Sequence, residues 1–280
     1  MSQIIAKFFW SVGFLCLILA LVLNLNSFMK KGDDTKGSID PFPDSLIGIE
    51  IYDLKVAQIT DKEEFRNFLE EGIRENKYSG IEIPIFVDDV IRKKYFHKIS
   101  YIQDRTNWIL FLSDKFYPKK EFFSKIKLKD LLKTNHGTCN QQAIVFQDLV
   151  KDFGYEFASV EFNIRTPKGY FGHFASAVKV DKEWFYFDPH REPDYNRRDS
   201  SILNALLEGD EVIFKDLYPS TKFENIDENM IILSKVNEFP ARRGVIFQEF
   251  SHLISNYSWL IFFLLALIFG RFSKISNRKK

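Results

Sequence analysis

The sequence predicts an α+β fold, and three features predict it. One amphipathic helical stretch runs from Cys139 to Phe153. Three strand-like stretches joined by turns follow it with no helix between them, and apolar blocks lie near both ends, from Phe8 to Leu23 and within Leu253 to Phe272. A helix followed by an antiparallel meander, rather than strictly alternating strands and helices, is the α+β pattern.

The first apolar block has Lys7 before it and Lys30 and Lys31 after it, and is slightly short of the roughly 20 residues that cross a hydrocarbon core. A cleaved signal peptide shares this layout. No small-x-small cleavage site is clear before Ser27, so the expectation is an uncleaved transmembrane anchor over residues 1–27. Residues 28–60 read as a polar linker, and weak alternation from Ile47 to Ile59 allows a first strand.

The main domain is expected over residues 61–250. Asp61 with Glu64 matches a capping box, and Phe65, Phe68, Leu69 and Ile73 then recur at helical spacing. Val87–Ile99, Asp104–Phe116 and Lys127–Leu132 give further helical patterns. After Cys139, apolar residues fall at Ala143, Phe146, Leu149, Val150 and Phe153, with Gly154 as the expected C-cap. Strands are expected at Phe157–Ile164, His173–Val180 and Trp184–Phe187, with turns at Thr166–Gly169 and at Asp181-Lys182. Ser201–Leu207 reads as a short helix and Met230–Val236 as a strand or helix.

The block within residues 253–272 reads as a second span, followed by a basic tail at 273–280 that favours the cytoplasm. Two spans place both ends on one side and the soluble domain outside the cytoplasm. Lys30 and Lys31 weigh against that orientation without reversing it.

A formal net charge of +1 with no basic run in the soluble part argues against a nucleic-acid partner. The two cysteines, Cys16 in the first apolar block and Cys139 in the middle of the chain, make no disulfide framework. Cys139 is the one that invites chemistry. It opens a helix, where the macrodipole favours a thiolate, and Gly137 lets the backbone turn into it.

A thiol nucleophile needs a base, and the base needs an orienting group on its other ring nitrogen. His173 opens the second strand and Asp188 ends the third. A hairpin turning at Asp181-Lys182 makes the start of one strand and the end of the next neighbours, so the two are expected side by side.

The order Cys, His, Asp, with Gly-x-Cys opening a helix, Gly-His at a strand start and Trp-x-x-x-Asp-Pro after a hairpin, resembles the transglutaminase-like superfamily over about residues 100–190. The resemblance implies a papain-like core, a Cys-bearing helix packed on an antiparallel sheet, flanked here by two transmembrane helices. It implies Cys139 as nucleophile, His173 as general base and Asp188 as the orienting group. It also implies an oxyanion hole made by the Cys139 backbone N–H and a second donor, for which Trp108 and Asn107 on the preceding helix are the nominees. Asn140 stands where an aromatic residue often follows the cysteine, and Gly-His-Phe-Ala replaces the usual Gly-His-Ala-Trp, which implies a differently shaped cleft.

Plainer readings compete. Cys139 taken alone is most simply a small buried hydrophobe. A zinc site from Cys139, His173, Asp188 and His190 matches in ligand type but lacks any paired Cys-x-x-Cys or His-x-x-x-His spacing. His136 and His190 read as solvated or capping residues, and His97 and His252 carry no functional reading. The expectation is a thiol-dependent acyl-transfer enzyme acting on amide or peptide bonds near a membrane surface, hydrolase rather than amine transferase, with no cofactor and no metal. The alternative is a non-catalytic binding or scaffold domain of a membrane assembly, with a membrane-protein partner.

Overall fold

The computed structural model describes residues 2–30, 39–102, 107–110, 113, 123–167, 169–190, 195–222 and 230–278. These fall into two compact units: Met1–Thr35, Tyr101–Ser124 and Arg242–Lys280 form one, and Lys36–Ser100 with Lys125–Ala241 forms the other.

The first unit is built on two long helices, Ser2–Lys30 and Arg242–Arg278. They run antiparallel: Phe9 stacks on Phe269 at 5.4 Å, while one turn further along the first helix Gly13 lies against Phe262 and Phe263. Gly13 is required by that approach, since a Cβ there would sit 2.3 Å from Cδ1 of Phe263. Cys16 and Ala20 extend the buried small-residue stripe at helical spacing, and close backbone approach at such stripes is how apolar helices pack without a hydrophobic drive. Where two membrane spans are expected, the described residues contain one helix long and apolar enough to cross a bilayer, Arg242–Arg271. The N-terminal apolar stretch, Lys7–Val22, is shorter than a span requires.

The second unit is α+β, with a four-stranded antiparallel sheet whose strands lie in the order Glu183–Phe187, Gly169–Val180, Glu156–Thr166 and Ile231–Leu233. The strands are β3 (Glu156–Thr166), β4 (Gly169–Val180), β5 (Glu183–Phe187) and β6 (Ile231–Leu233). β3 and β4 pair along their whole length, with Val160 opposite Ala175 and Phe162 opposite His173. The β4–β5 turn places Asp181 at φ 56°, a left-handed position that Asp tolerates.

Successive strand side chains face opposite ways, and both faces are covered. On one face Val160, Phe162, Ala175, Ala177 and Tyr186 join a core with Leu203 and Leu206 of helix Ser201–Leu207 and with Phe214 and Leu217 of helix Glu211–Leu217. Against the other packs the Cys139–Asp152 helix. Its Gln147 amide donates to the hydroxyls of Ser159 (3.2 Å) and Ser176 (2.9 Å), and its Phe146 ring lies 5.2 Å from that of Phe187. These buried hydrogen bonds fix the helix on the sheet.

Around this core, Asp61 caps helix Lys62–Asn76 by accepting from the backbone of Glu63 and Glu64, with Phe65 and Leu69 buried beneath. Helix Glu82–Lys94 leads into a two-residue strand β1 (Phe96–His97), which pairs in parallel with β2 (His136–Gly137). Helix Leu128–Leu131 lies between them in the chain.

Several elements differ from expectation. No strand forms over Ile47–Ile59. Gly48 takes φ +77°, which breaks an extended run, and a short helix Leu54–Ala57 follows, leaving Ile47, Ile49 and Ile51 exposed. Helix Glu82–Lys94 begins and ends earlier than Val87–Ile99, stopping where Tyr95 turns extended into β1. Most of the expected helix Asp104–Phe116 lies outside the described residues. Helix Glu211–Leu217 was not expected from the sequence.

Candidate active site

The local structure at Cys139 follows from its cap. Gln141 reaches back to accept the Thr138 N–H at 3.1 Å, the side-chain half of a capping box, while its amide donates to the carbonyls of Ser100 (2.7 Å) and Lys125 (2.9 Å). Gln141 is itself buried as it caps the helix. Cys139 is the first helical residue, half-exposed, and the first turn of a helix carries N–H groups without intrahelical partners.

His173 and Asp188 meet as the hairpin register dictates. Phe187 lies opposite Ser176, so the next position, Asp188, falls level with Ala175 and diagonal to His173 on the same face. His173 Nε2 is 2.6 Å from Asp188 Oδ2, with both side chains buried. The Cys139 side chain is a further hydrogen-bonding partner of the His173 side chain. The sequence-predicted residues Cys139, His173 and Asp188 are thus brought together in that order of contact.

Burial opposes charge on the His173 ring, but the Asp188 carboxylate, by its charge and hydrogen bond, and the contact with Cys139 overcome it and raise the imidazole from 6.5 to about 10. Burial likewise pushes the Asp188 carboxyl up, and the His173 charge and hydrogen bond, with help from His190 and Tyr218, more than offset it, so its value is lowered. Both shifts favour an imidazolium–carboxylate pair.

Asp188 is held from several sides. Tyr218 Oη donates to Oδ2 at 2.7 Å, the His190 backbone N–H donates to Oδ1 at 3.1 Å, and Arg92 donates to the Asp188 carbonyl at 2.7 Å. Arg92 is itself anchored by Asp88, whose Oδ2 also receives Arg197 at 2.6 Å. The His190 ring lies 5.8 Å from His173 and hydrogen-bonds His97, which sits opposite Gly137 in the β1–β2 pair. A cleft of about 80 Å³ lies beside Pro189, the residue after Asp188, and is lined also by Ile49, Glu50, Ile51, Arg92 and Tyr95.

The residues nominated for the oxyanion hole bond to the C-terminal helix. Asn107 donates to Ser251 Oγ at 2.9 Å, and the Trp108 indole donates to the Ser255 carbonyl at 3.0 Å, so both serve the C-terminal helix in the other unit. Asn107 Oδ1 also caps its own helical turn through Ile109 and Leu110. Among the described residues, no group of three or more His, Cys, Asp or Glu is arranged to hold a metal ion.

Tyr218, Arg92, His97 and His190 are the site residues that the sequence did not reveal. His190 carried a weak signal as the second residue after Asp188. His97 comes into place through a two-residue parallel pairing, and Tyr218 arrives 30 positions after Asp188, from the unexpected helix. No protein-family profile, curated protein or solved structure matches this chain.

Proposed function

We propose that this chain is a thiol-dependent acyl-transfer enzyme with a papain-like, transglutaminase-like core, acting on amide or peptide bonds and releasing its product by hydrolysis. The observation that carries this reading is the series Cys139, His173, Asp188, in which a helix-opening thiol contacts an imidazole whose Nε2 is bound at 2.6 Å by a buried carboxylate. That is the arrangement by which a base and its orienter activate a nucleophile.

Attack by the Cys139 thiolate on an acyl carbon forms the S–C bond and moves the carbonyl electron pair onto oxygen. The Cys139 backbone N–H, at the helix start, is the proposed donor to that oxyanion. Collapse of the intermediate breaks the C–N bond, and the His173 imidazolium passes its proton to the departing amine. Neutral His173 then takes a proton from water as the water attacks the thioester, and the thiolate leaves beside the restored imidazolium. Asp188 holds the ring in the same orientation in both half-reactions. Water is the proposed acceptor, because amine transfer requires a second binding site and exclusion of water.

The helix Arg242–Arg271 supports membrane attachment, which limits substrates to amide-bearing molecules at a bilayer surface. A soluble unit outside the cytoplasm belongs to the same proposal. Burial of His173 favours one competing reading, a non-catalytic domain that keeps the fold as a scaffold.

Iodoacetamide separates the two. In the full chain in detergent, with Cys16→Ser to remove the second thiol, Cys139 is expected to alkylate at neutral pH faster than a free model thiol, and slowly once His173→Ala is introduced. Alkylation that requires unfolding would overturn the enzymatic reading in favour of the scaffold.

A further inference from the structure

Tyr218 ends helix Glu211–Leu217, where its N–H still bonds the Phe214 carbonyl at 2.9 Å and Pro219 blocks further helix. Its ring is buried edge-on to His173, with centroids 5.2 Å apart and planes at 67°, and it also contacts Phe162 and Phe214. Packing alone would explain the ring. It does not explain the hydroxyl, which meets the same Asp188 oxygen that receives His173 Nε2.

A phenol has one proton to give. Tyr218 spends it on Asp188, so the neighbouring Tyr186 hydroxyl, which touches that of Tyr218, must donate to Tyr218 Oη. The order of donation is therefore Tyr186 to Tyr218 to Asp188, each bond polarising the next. The Tyr186 backbone carbonyl is in turn bonded by the Tyr195 hydroxyl at 2.8 Å. Burial keeps the Tyr218 hydroxyl protonated by raising it well above the ordinary tyrosine range, so the donor persists over the working pH.

The carboxylate needs this supply. Asp188 is fully buried, and a buried carboxylate with too few donors takes up a proton. A protonated Asp188 would no longer hold an imidazolium. The carboxylate must also stay in one plane, because His173 binds a single oxygen. With the His190 N–H on Oδ1 and Tyr218 on Oδ2, one donor fixes each oxygen independently of the histidine.

We propose that Tyr218 is a positioning residue of the active site: its hydroxyl, backed by that of Tyr186, holds the Asp188 carboxylate ionised and aligned for His173. The proposal rests on the acyl-transfer reading of Cys139 and brings the layer of helices Ser201–Leu207 and Glu211–Leu217 into the catalytic apparatus.

The test is Tyr218→Phe, which keeps the ring and removes only the hydroxyl, in the full chain carrying Cys16→Ser. The rate of Cys139 alkylation by iodoacetamide is followed against pH, beside the melting temperature. The expected result is a rate at neutral pH lower by about tenfold, the size associated with losing a hydrogen bond to a charged group. The acid limb should also move to higher pH, because Asp188 protonates more readily without its donor. Tyr186→Phe leaves the Tyr218 proton on Asp188 and should move both readouts the same way by less.

A folded Tyr218→Phe chain with the parental rate and acid limb overturns the proposal. If Tyr218→Phe does not fold, Tyr186→Phe decides, and an unmoved acid limb there overturns it. Parental alkylation that does not depend on His173 overturns both this proposal and the acyl-transfer reading, whereas His173-dependent alkylation that ignores Tyr218→Phe removes only the role of Tyr218.

Discussion

His173 Nε2 and Asp188 Oδ2 stand 2.6 Å apart on diagonal positions at the end of the β4–β5 hairpin, both buried. A two-residue turn at Asp181-Lys182 is enough to bring them together, so base and orienter are placed by local hairpin geometry.

Their replacement should therefore separate chemistry from folding. Cys139→Ala is expected to abolish turnover, and His173→Ala to lower it by about 10²–10⁴, the usual worth of a general base. Asp188→Ala should lower it less than either, since an imidazole without its orienter still titrates. Rates on an amide substrate, measured beside far-UV circular dichroism, check this order. Full activity of the Cys139→Ala chain would remove the residue from the mechanism.

Stability should follow pH in opposite senses at two histidines. His173 is raised from 6.5 to about 10 in the folded chain, so its stabilising contribution is complete below the unfolded value and is lost as pH rises through about 10. Burial, only partly offset by Asp40, lowers His136 to about 4, so its folded form prefers neutrality. That contribution is complete above 6.5 and is lost as pH falls toward about 4. His173 thus contributes a fall in melting temperature on the alkaline side and His136 one on the acid side. His173→Gln should flatten the alkaline side and His136→Gln the acid side, and a His136→Gln chain with an unchanged acid side would refute the assignment.

Burial lowers Lys94 to about 7, and its Nζ is bonded to the carbonyls of Ile59 (2.6 Å) and Ala57 (3.2 Å). Between about 7 and 10.5 the unfolded chain binds more protons here than the folded one, so stability from this group rises with pH across that window. Lys94→Met should remove the rise. The difference in urea midpoint between the parental and Lys94→Met chains reads it across the window, where His173 contributes in the opposite sense.

Asp88 is buried between Arg92 and Arg197, and Arg92 passes the restraint on to the Asp188 carbonyl. Removing one member of such a network leaves buried charge uncompensated, so Asp88→Ala is expected to cost about 3–5 kcal/mol in urea unfolding. Slower alkylation of Cys139 in the same variant, under conditions where it is still folded, would report the loosened Asp188.

In the helical pair, Gly13→Leu would force a side chain where even a Cβ lies 2.3 Å from Phe263. Overpacking of this kind typically costs about 1–3 kcal/mol. The expected outcome is a lower temperature for loss of helicity in detergent, with Cys139 alkylation at moderate temperature unchanged.

What the sequence disclosed was what short-range chemistry controls. The Asp61 cap, the Cys139–Asp152 helix ending before Gly154, and strands β3 to β5 all follow from caps, periodicity and turn residues within a few positions of one another. The apposition of His173 and Asp188 follows from the same turn. The apolar alternation from Ile47 to Ile51 misled, because a pattern of period two marks a strand only if one face is covered, and here the isoleucines are exposed around Gly48. What Asn107 and Trp108 bond to was hidden for a different reason. Their partners, Ser251 and Ser255, lie more than a hundred positions on, and nothing near either residue announces them. Tyr218 was hidden in the same way, because its role depends on one hydroxyl meeting a carboxylate across a core whose formation periodicity does not encode.

The distance in sequence between Asp188 and Tyr218 has a consequence during synthesis. Domains are completed from the N-terminal end as the chain emerges. Thiol, imidazole and carboxylate all lie within the first 188 residues. The hydroxyl that secures the carboxylate comes 30 residues later, with the helix pair that seals the sheet. A chain truncated between these points carries every reactive group yet lacks both the hydroxyl that bonds the carboxylate and the helices that cover this face of the sheet.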